Sequence, residues 1–171
     1  GDRVNDLRQA LAQYADMPEG FDIMLGNGSD ELISLVSMAC DVPGAHFVAP
    51  FPGFVMYAMS AQLQGIQFQG VPLTANFELD EAAMLAAIAQ YKPAVVYLAY
   101  PNNPTGTLWD ADVIERIVVA QGQQGGLIVM DEAYQPFASQ TYMDRIAQHG
   151  HVLLMRTLSK FGLAGVRLGY M

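Results

Sequence analysis

Seven apolar runs of strand length, at 21–25, 46–49, 65–71, 94–100, 127–130, 151–156 and 166–171, recur along the chain with segments of helical period between most of them. Strands joined through helices return in the same direction, which builds a mostly parallel sheet with helices on both faces. The expected fold class is therefore α/β, a three-layer α/β/α sandwich. Helical segments are expected at 2–15, 29–40, 53–64, 80–90, 110–121 and 141–148. In the first of these Val4, Leu7, Leu11 and Tyr14 share one face. The second opens on Ser29 as a candidate N-cap, with Asp30 and Glu31 in its first turn, where the helix dipole favours acidic groups. The final run follows Lys160 too closely for a crossover helix, so it is expected to pair antiparallel.

Composition narrows the function. Seventeen acidic against eight basic side chains give a formal net charge of -9, which repels phosphate backbones and anionic headgroups. Neither nucleic acid nor a membrane surface is an expected partner. No apolar run approaches the roughly 20 residues that span a bilayer. The single cysteine, Cys40, cannot form an internal disulfide, and residues 1–20 lack the apolar centre of a secretion signal, so a cytoplasmic location is expected. The 171 residues leave room for one domain.

Open parallel sheets bind ligands at the carboxyl ends of their strands. Four turns fall there: GNGSD at 26–30, PNNPTG at 101–106, DEAY at 131–134 and TLSK at 157–160. The glycine turn can offer backbone N–H groups to an anion, although such turns serve equally well for chain reversal. Glu31 stands where a dinucleotide fingerprint requires its third glycine, which counts against NAD. Asp131 after LIVM has the look of a nucleotide-hydrolase carboxylate, but no G-x-x-x-x-G-K-[ST] loop accompanies it, and no metal site is expected.

The chain has only two lysines. Lys92 follows the helical segment 80–90 and precedes Pro93, a position that suits a cation at a helix C-terminus. Lys160 lies in LMRTLSKFGLAG, among apolar residues and glycines. A lysine in apolar surroundings is pushed towards its neutral form, and neutral amines condense with aldehydes. Pyridoxal 5'-phosphate (PLP) requires such a lysine, a carboxylate for its pyridine nitrogen and donors for its phosphate. Lys160, Asp131 and the glycine turn supply these, with Thr157, Ser159 and Arg167 as further phosphate donors. Tyr134 and Asn103 can hydrogen-bond the phenolic oxygen.

The strings GNGSDE, PNNPTG, DEAY and TLSK, followed by FGLAG and VRLGY, resemble in that order the fold-type I PLP-dependent aminotransferases, and among them those that act on histidinol phosphate. The resemblance implies that Lys160 carries the Schiff base and shuttles the proton, and that Asp131 pairs with the pyridinium nitrogen. It places the phosphate at the glycine turn, with Gly28 there and backbone amides at Ser29 and Asp30, together with Thr157, Ser159 and Arg167. It puts Tyr134 and Asn103 on the phenolic oxygen and stacks Phe54, from PGFVMY, on the ring, where relatives often carry Tyr. The implied reaction is transamination of L-histidinol phosphate with 2-oxoglutarate in histidine biosynthesis. An aromatic aminotransferase, a threonine-phosphate decarboxylase or a non-catalytic fragment are the alternatives. Small-molecule amino donors and 2-oxo acids are the implied partners, in a homodimer of the full-length protein. Such relatives are much longer, with an N-terminal arm and a small C-terminal domain. Residues 1–171 are accordingly expected to be part of the large PLP-binding domain, inactive by themselves.

Overall fold

A computed structural model describes residues 2–161 and 165–171; Gly162, Leu163 and Ala164 of the FGLAG string lie outside the described residues. A seven-stranded sheet forms the middle layer, in the order β1-β7-β6-β5-β4-β2-β3. Its parallel body is β2 (His46–Phe51), β3 (Gln67–Pro72), β4 (Val95–Ala99), β5 (Leu127–Asp131) and β6 (Val152–Thr157). Strand β7 (Gly169–Tyr170) runs antiparallel to both β6 and β1 (Leu25–Gly26), as the short link after Lys160 requires.

The central strand β4, VVYLA, is apolar throughout because both its faces are covered. In β4, Val95 and Tyr97 pack with α2 (Ser29–Ala39) and α3 (Val55–Leu63) on one side. Val96 and Leu98 pack on the other, with α4 (Glu81–Tyr91) and α5 (Ala111–Gln123). That two-residue period, continued past the strand ends, decides which side chains reach each face of the crevice.

Local chemistry sets the helix ends. Asp80 and Asp110 each accept first-turn N–H groups of α4 and α5. Lys92 caps the end of α4 in the left-handed region, at φ 44°.

Several expected elements differ. The run 21–25 yields strand only at Leu25–Gly26, because it is an edge whose one partner, β7, is itself two residues long. Residues 141–148 form 3-10 turns over Met143–Gln148 instead of an α-helix. Helix α1 (Asp2–Tyr14) buries Leu11 alone of its four-residue stripe, while Val4, Leu7 and Tyr14 stay exposed. It packs on the core through Leu11 and Ala12, and Ala15, just past its end, is buried there. Ser29 is the first helical residue of α2 and not its cap; Gly28 holds that place at φ 82°, with no side-chain hydrogen bond. No helix among the described residues is long and apolar enough to cross a membrane.

Candidate active site

At the carboxyl ends of β1, β4, β5 and β6 lies a cavity of about 190 Å³, room for one small molecule. Gly28, Ser29, Asp30, Phe54, Asn103, Asp131, Tyr134, Thr157, Ser159, Lys160 and Arg167, every residue singled out from the sequence, line it together with Ala99, Pro101 and Ala133. Ala99, Asp131 and Thr157 extend the Tyr97, Val129 and Met155 side of the sheet, so the alternation that buries those apolar residues also aims Asp131 into the cavity. The small Ala99 leaves space beside it.

Asp131 forms the floor. Its side chain is 5 % exposed. Oδ2 accepts from the Tyr57 hydroxyl at 2.5 Å, and Oδ1 accepts from the Ala133 N–H at 3.0 Å. Neither donor is a cation. Burial pushes the Asp131 carboxyl above the usual range, opposed by the Tyr57 and Ala133 hydrogen bonds. Pairing with a pyridinium nitrogen would act the other way and lower it. Burial and the neighbouring carboxylate push Tyr57 well above the usual phenol range, so its hydroxyl stays a donor.

Glu132, one residue on, faces the opposite side of the sheet and is fully buried. Arg156 donates to its Oε1 from Nε at 3.1 Å and from Nη2 at 2.9 Å. The Thr141 hydroxyl and the Tyr142 N–H also donate to it. This network anchors the turn behind the cavity.

One wall of the cavity is shaped to receive an anion. With no side chain capping α2, the Ser29 and Asp30 N–H groups have no partner inside the helix, and its N-terminus carries a positive field. A Cβ on Gly169 would stand 2.6 Å from the Gly28 carbonyl carbon and 3.0 Å from the Ser29 nitrogen, so only glycine lets β7 pass beneath this turn. That close passage brings Arg167, two residues earlier, over Gly28, with Nη2 3.8 Å from Asp30 Oδ2 in an exposed pair. Glu31 does not merely break a dinucleotide pattern: its Oε2 accepts from the Asn27 N–H at 2.5 Å and closes the turn. Thr157 and Ser159 hydroxyls lie 3.0 Å apart on the adjoining wall.

Across the cavity, Lys160 Nζ sits 4.7 Å from the centroid of the Tyr134 ring. Lys160 is half-buried and lines the cavity together with Asp131, Tyr134 and Ser159, so its setting is less apolar than its sequence neighbours suggest. The two asparagines of PNNPTG divide their work. Asn102 is buried, donating to Thr105 Oγ1 at 2.8 Å and to the Pro52 carbonyl at 3.2 Å, whereas Asn103 lines the cavity. Tyr57, Asn102 and Gly169 were not among the candidate residues. The one local signal for Tyr57 is its place one helical turn after Phe54 in PGFVMY.

The donor set describes its ligand: an anion at the α2 terminus, a cationic N–H against Asp131, an oxygen between Asn103 and Tyr134, a flat ring under Phe54 and a group reactive towards an amine near Lys160. PLP has each of these features, so the residues present fit it. Among the described residues, no three His, Cys, Asp or Glu side chains are placed to hold a metal ion.

The sheet order and the cavity define a protein built like the PLP-dependent transferases. The chain belongs to the family described as aminotransferase class I and II, which it matches over residues 2–171. It is 76 % identical over 169 residues to a histidinol-phosphate aminotransferase of Polaromonas naphthalenivorans, covering 99 % of this chain and 46 % of that protein. It is 70 % identical over 171 residues to one of Methylibium petroleiphilum, covering 100 % of this chain and 46 % of that protein. The solved histidinol-phosphate aminotransferase of Sinorhizobium meliloti in complex with pyridoxal-5'-phosphate superposes with a TM-score of 0.84 at 31 % identity, over 97 % of this chain and 45 % of that one. The chain thus spans about half the length of the relatives it matches.

Proposed function

We propose that this chain is the PLP-binding part of an aminotransferase that exchanges an amino group between L-histidinol phosphate and a 2-oxo acid, 2-oxoglutarate. The observation that carries the reading is the convergence of Lys160, Asp131 and the uncapped α2 terminus on one cavity. The names of the relatives at 70 and 76 % identity support the substrate. When bound, PLP supplies an aldehyde that takes up the amino group and a ring that draws electrons from the substrate carbon.

The chain's own residues do the rest. Lys160 Nζ provides the amine that holds the cofactor and carries a proton to and from the substrate carbon. Asp131 holds a negative charge against the ring nitrogen, while Asn103 and Tyr134 donate to the ring oxygen. Ser29, Asp30, Thr157, Ser159 and Arg167 bind the phosphate, and Phe54 covers the ring. On α3, Val55, Met59 and Leu63 repeat every four residues and are all exposed, with Phe51 exposed just before them. Such a strip beside the cavity suits a second copy of the chain in the complete protein.

The test is a half-reaction. The complete polypeptide carrying this sequence, loaded with PLP, is mixed with histidinol phosphate, with phenylalanine and with threonine phosphate. Rapid conversion of the cofactor to its amino form by histidinol phosphate alone is expected. Preference for the aromatic amine, or decarboxylation of threonine phosphate, would replace the substrate. No PLP uptake would overturn the reading.

A further inference from the structure

The geometry points to Tyr57 as the positioning residue for Asp131: its hydroxyl fixes one carboxylate oxygen and keeps the acid in the ionised form that a cationic ring nitrogen needs. This rests on the PLP reading above but concerns a contact wholly within the chain.

Three observations place Tyr57 in this role. It is 2 % exposed, and its hydroxyl is directed at Asp131 Oδ2 from 74 positions away in sequence. The phenol ring is held on both sides: it stacks on Tyr97 with centroids 4.3 Å apart and planes 8° from parallel, and it meets Phe54 edge-on at 5.6 Å. Side chains so packed do not change rotamer freely, so the hydroxyl position is set before any ligand arrives. Finally, Phe54 is the N-cap of α3 and Tyr57 lies in its first turn, so one helix end positions both the ring that lines the cavity and the donor beside it.

The alternative donors do not substitute. Among the described residues, the groups that bear on Asp131 are Tyr57 from α3, the Ala133 N–H, Asp30 from α2, Glu132 by its charge from the other side of the sheet, and Tyr134, Lys160 and Arg167 lining the same cavity. Asp30 and Glu132 carry its own sign and disfavour its charge. A buried acid without a cationic partner is kept charged by hydrogen bonds to that charge, and Tyr57 supplies the side-chain one. Tyr57→Phe keeps the stacked ring and removes only this donor.

The experiment has two arms, one of them independent of the cofactor. In the first, the Asp131 carboxyl carbon of the cofactor-free protein is titrated by NMR; in Tyr57→Phe it should titrate at higher pH than in the parent. In the second, PLP affinity is measured for the parent, Tyr57→Phe, Asp131→Asn and the double variant. Tyr57→Phe should weaken binding roughly tenfold, the size of a lost bond to a charged acceptor, with little further loss in the Asp131→Asn background. An unchanged Asp131 titration, or a Tyr57→Phe loss that persists in full beside Asp131→Asn, would overturn the inference. A parent protein that takes up no PLP while its Asp131 titration responds as expected would overturn the PLP reading and leave the positioning contact standing.

Discussion

Asp131 and Glu132 are adjacent in sequence, both buried, and solved in opposite ways. Glu132 has a cation, Arg156, and donors from Thr141 and Tyr142, a closed network on the side of the sheet away from the cavity. Asp131, on the cavity side, has among the described residues the neutral Tyr57 hydroxyl and Ala133 N–H as its hydrogen-bond donors. A carboxylate satisfied by its own protein holds structure together. One kept charged without a counter-ion is unstable by itself and is best explained by what it is there to bind.

The largest test of that contrast is Glu132→Ala. It leaves the Arg156 guanidinium buried without its partner, and urea denaturation should show a loss of about 3–5 kcal/mol. Stability unchanged within error would show that the network is not the anchor described.

Asp131→Asn should do the reverse to stability while damaging function. Catalysed transfer should slow by about 100-fold, equivalent to about 2.7 kcal/mol, in a steady-state assay of the complete protein. The cofactor-free variant should melt higher than the parent at neutral pH. The sign follows from burial: the folded acid titrates above its unfolded value, so stability is full below the unfolded pKa of about 3.9 and falls as pH rises through the folded one. The advantage should therefore vanish near pH ~3, where both states are protonated. A parent more stable than the variant at neutral pH would mean that Asp131 is structurally satisfied after all.

The asparagine pair sharpens the same division at a smaller scale. Asn102→Ala should destabilise the turn by about 0.5–1.5 kcal/mol, since it removes the bonds to the Pro52 carbonyl and to Thr105 Oγ1, which keeps its Thr107 partners. Asn103→Ala should leave the melting temperature of the cofactor-free protein unchanged and weaken PLP binding. The smallest effect concerns the second lysine. Lys92→Gly relieves a left-handed C-cap and should raise stability by up to about 1 kcal/mol without changing cofactor uptake. Reduced uptake would draw Lys92 into the chemistry.

What the sequence made legible was local. Strand-length runs, Asn-Pro and Gly turns, and acidic first turns are properties of a few neighbouring residues, so the α/β sandwich and the cavity-lining candidates were readable directly. What escaped depends on the register of distant segments. Tyr57 earns its role from a contact 74 positions away. Gly169 matters because a Cβ there would stand within 3 Å of the Gly28 turn, and nothing in VRLGY reports that approach. Periodicity in α1 promised a buried stripe, yet only its last turns touch the core. For 141–148, a turn anchored by Glu132 replaced the expected helix.

The most direct measurement of the central claim is to load the protein with PLP, reduce it with borohydride and identify the labelled peptide. A visible absorption band before reduction, with the label on Lys160 afterwards, is the predicted result. Lys160 left free, with the label on Lys92, would contradict it.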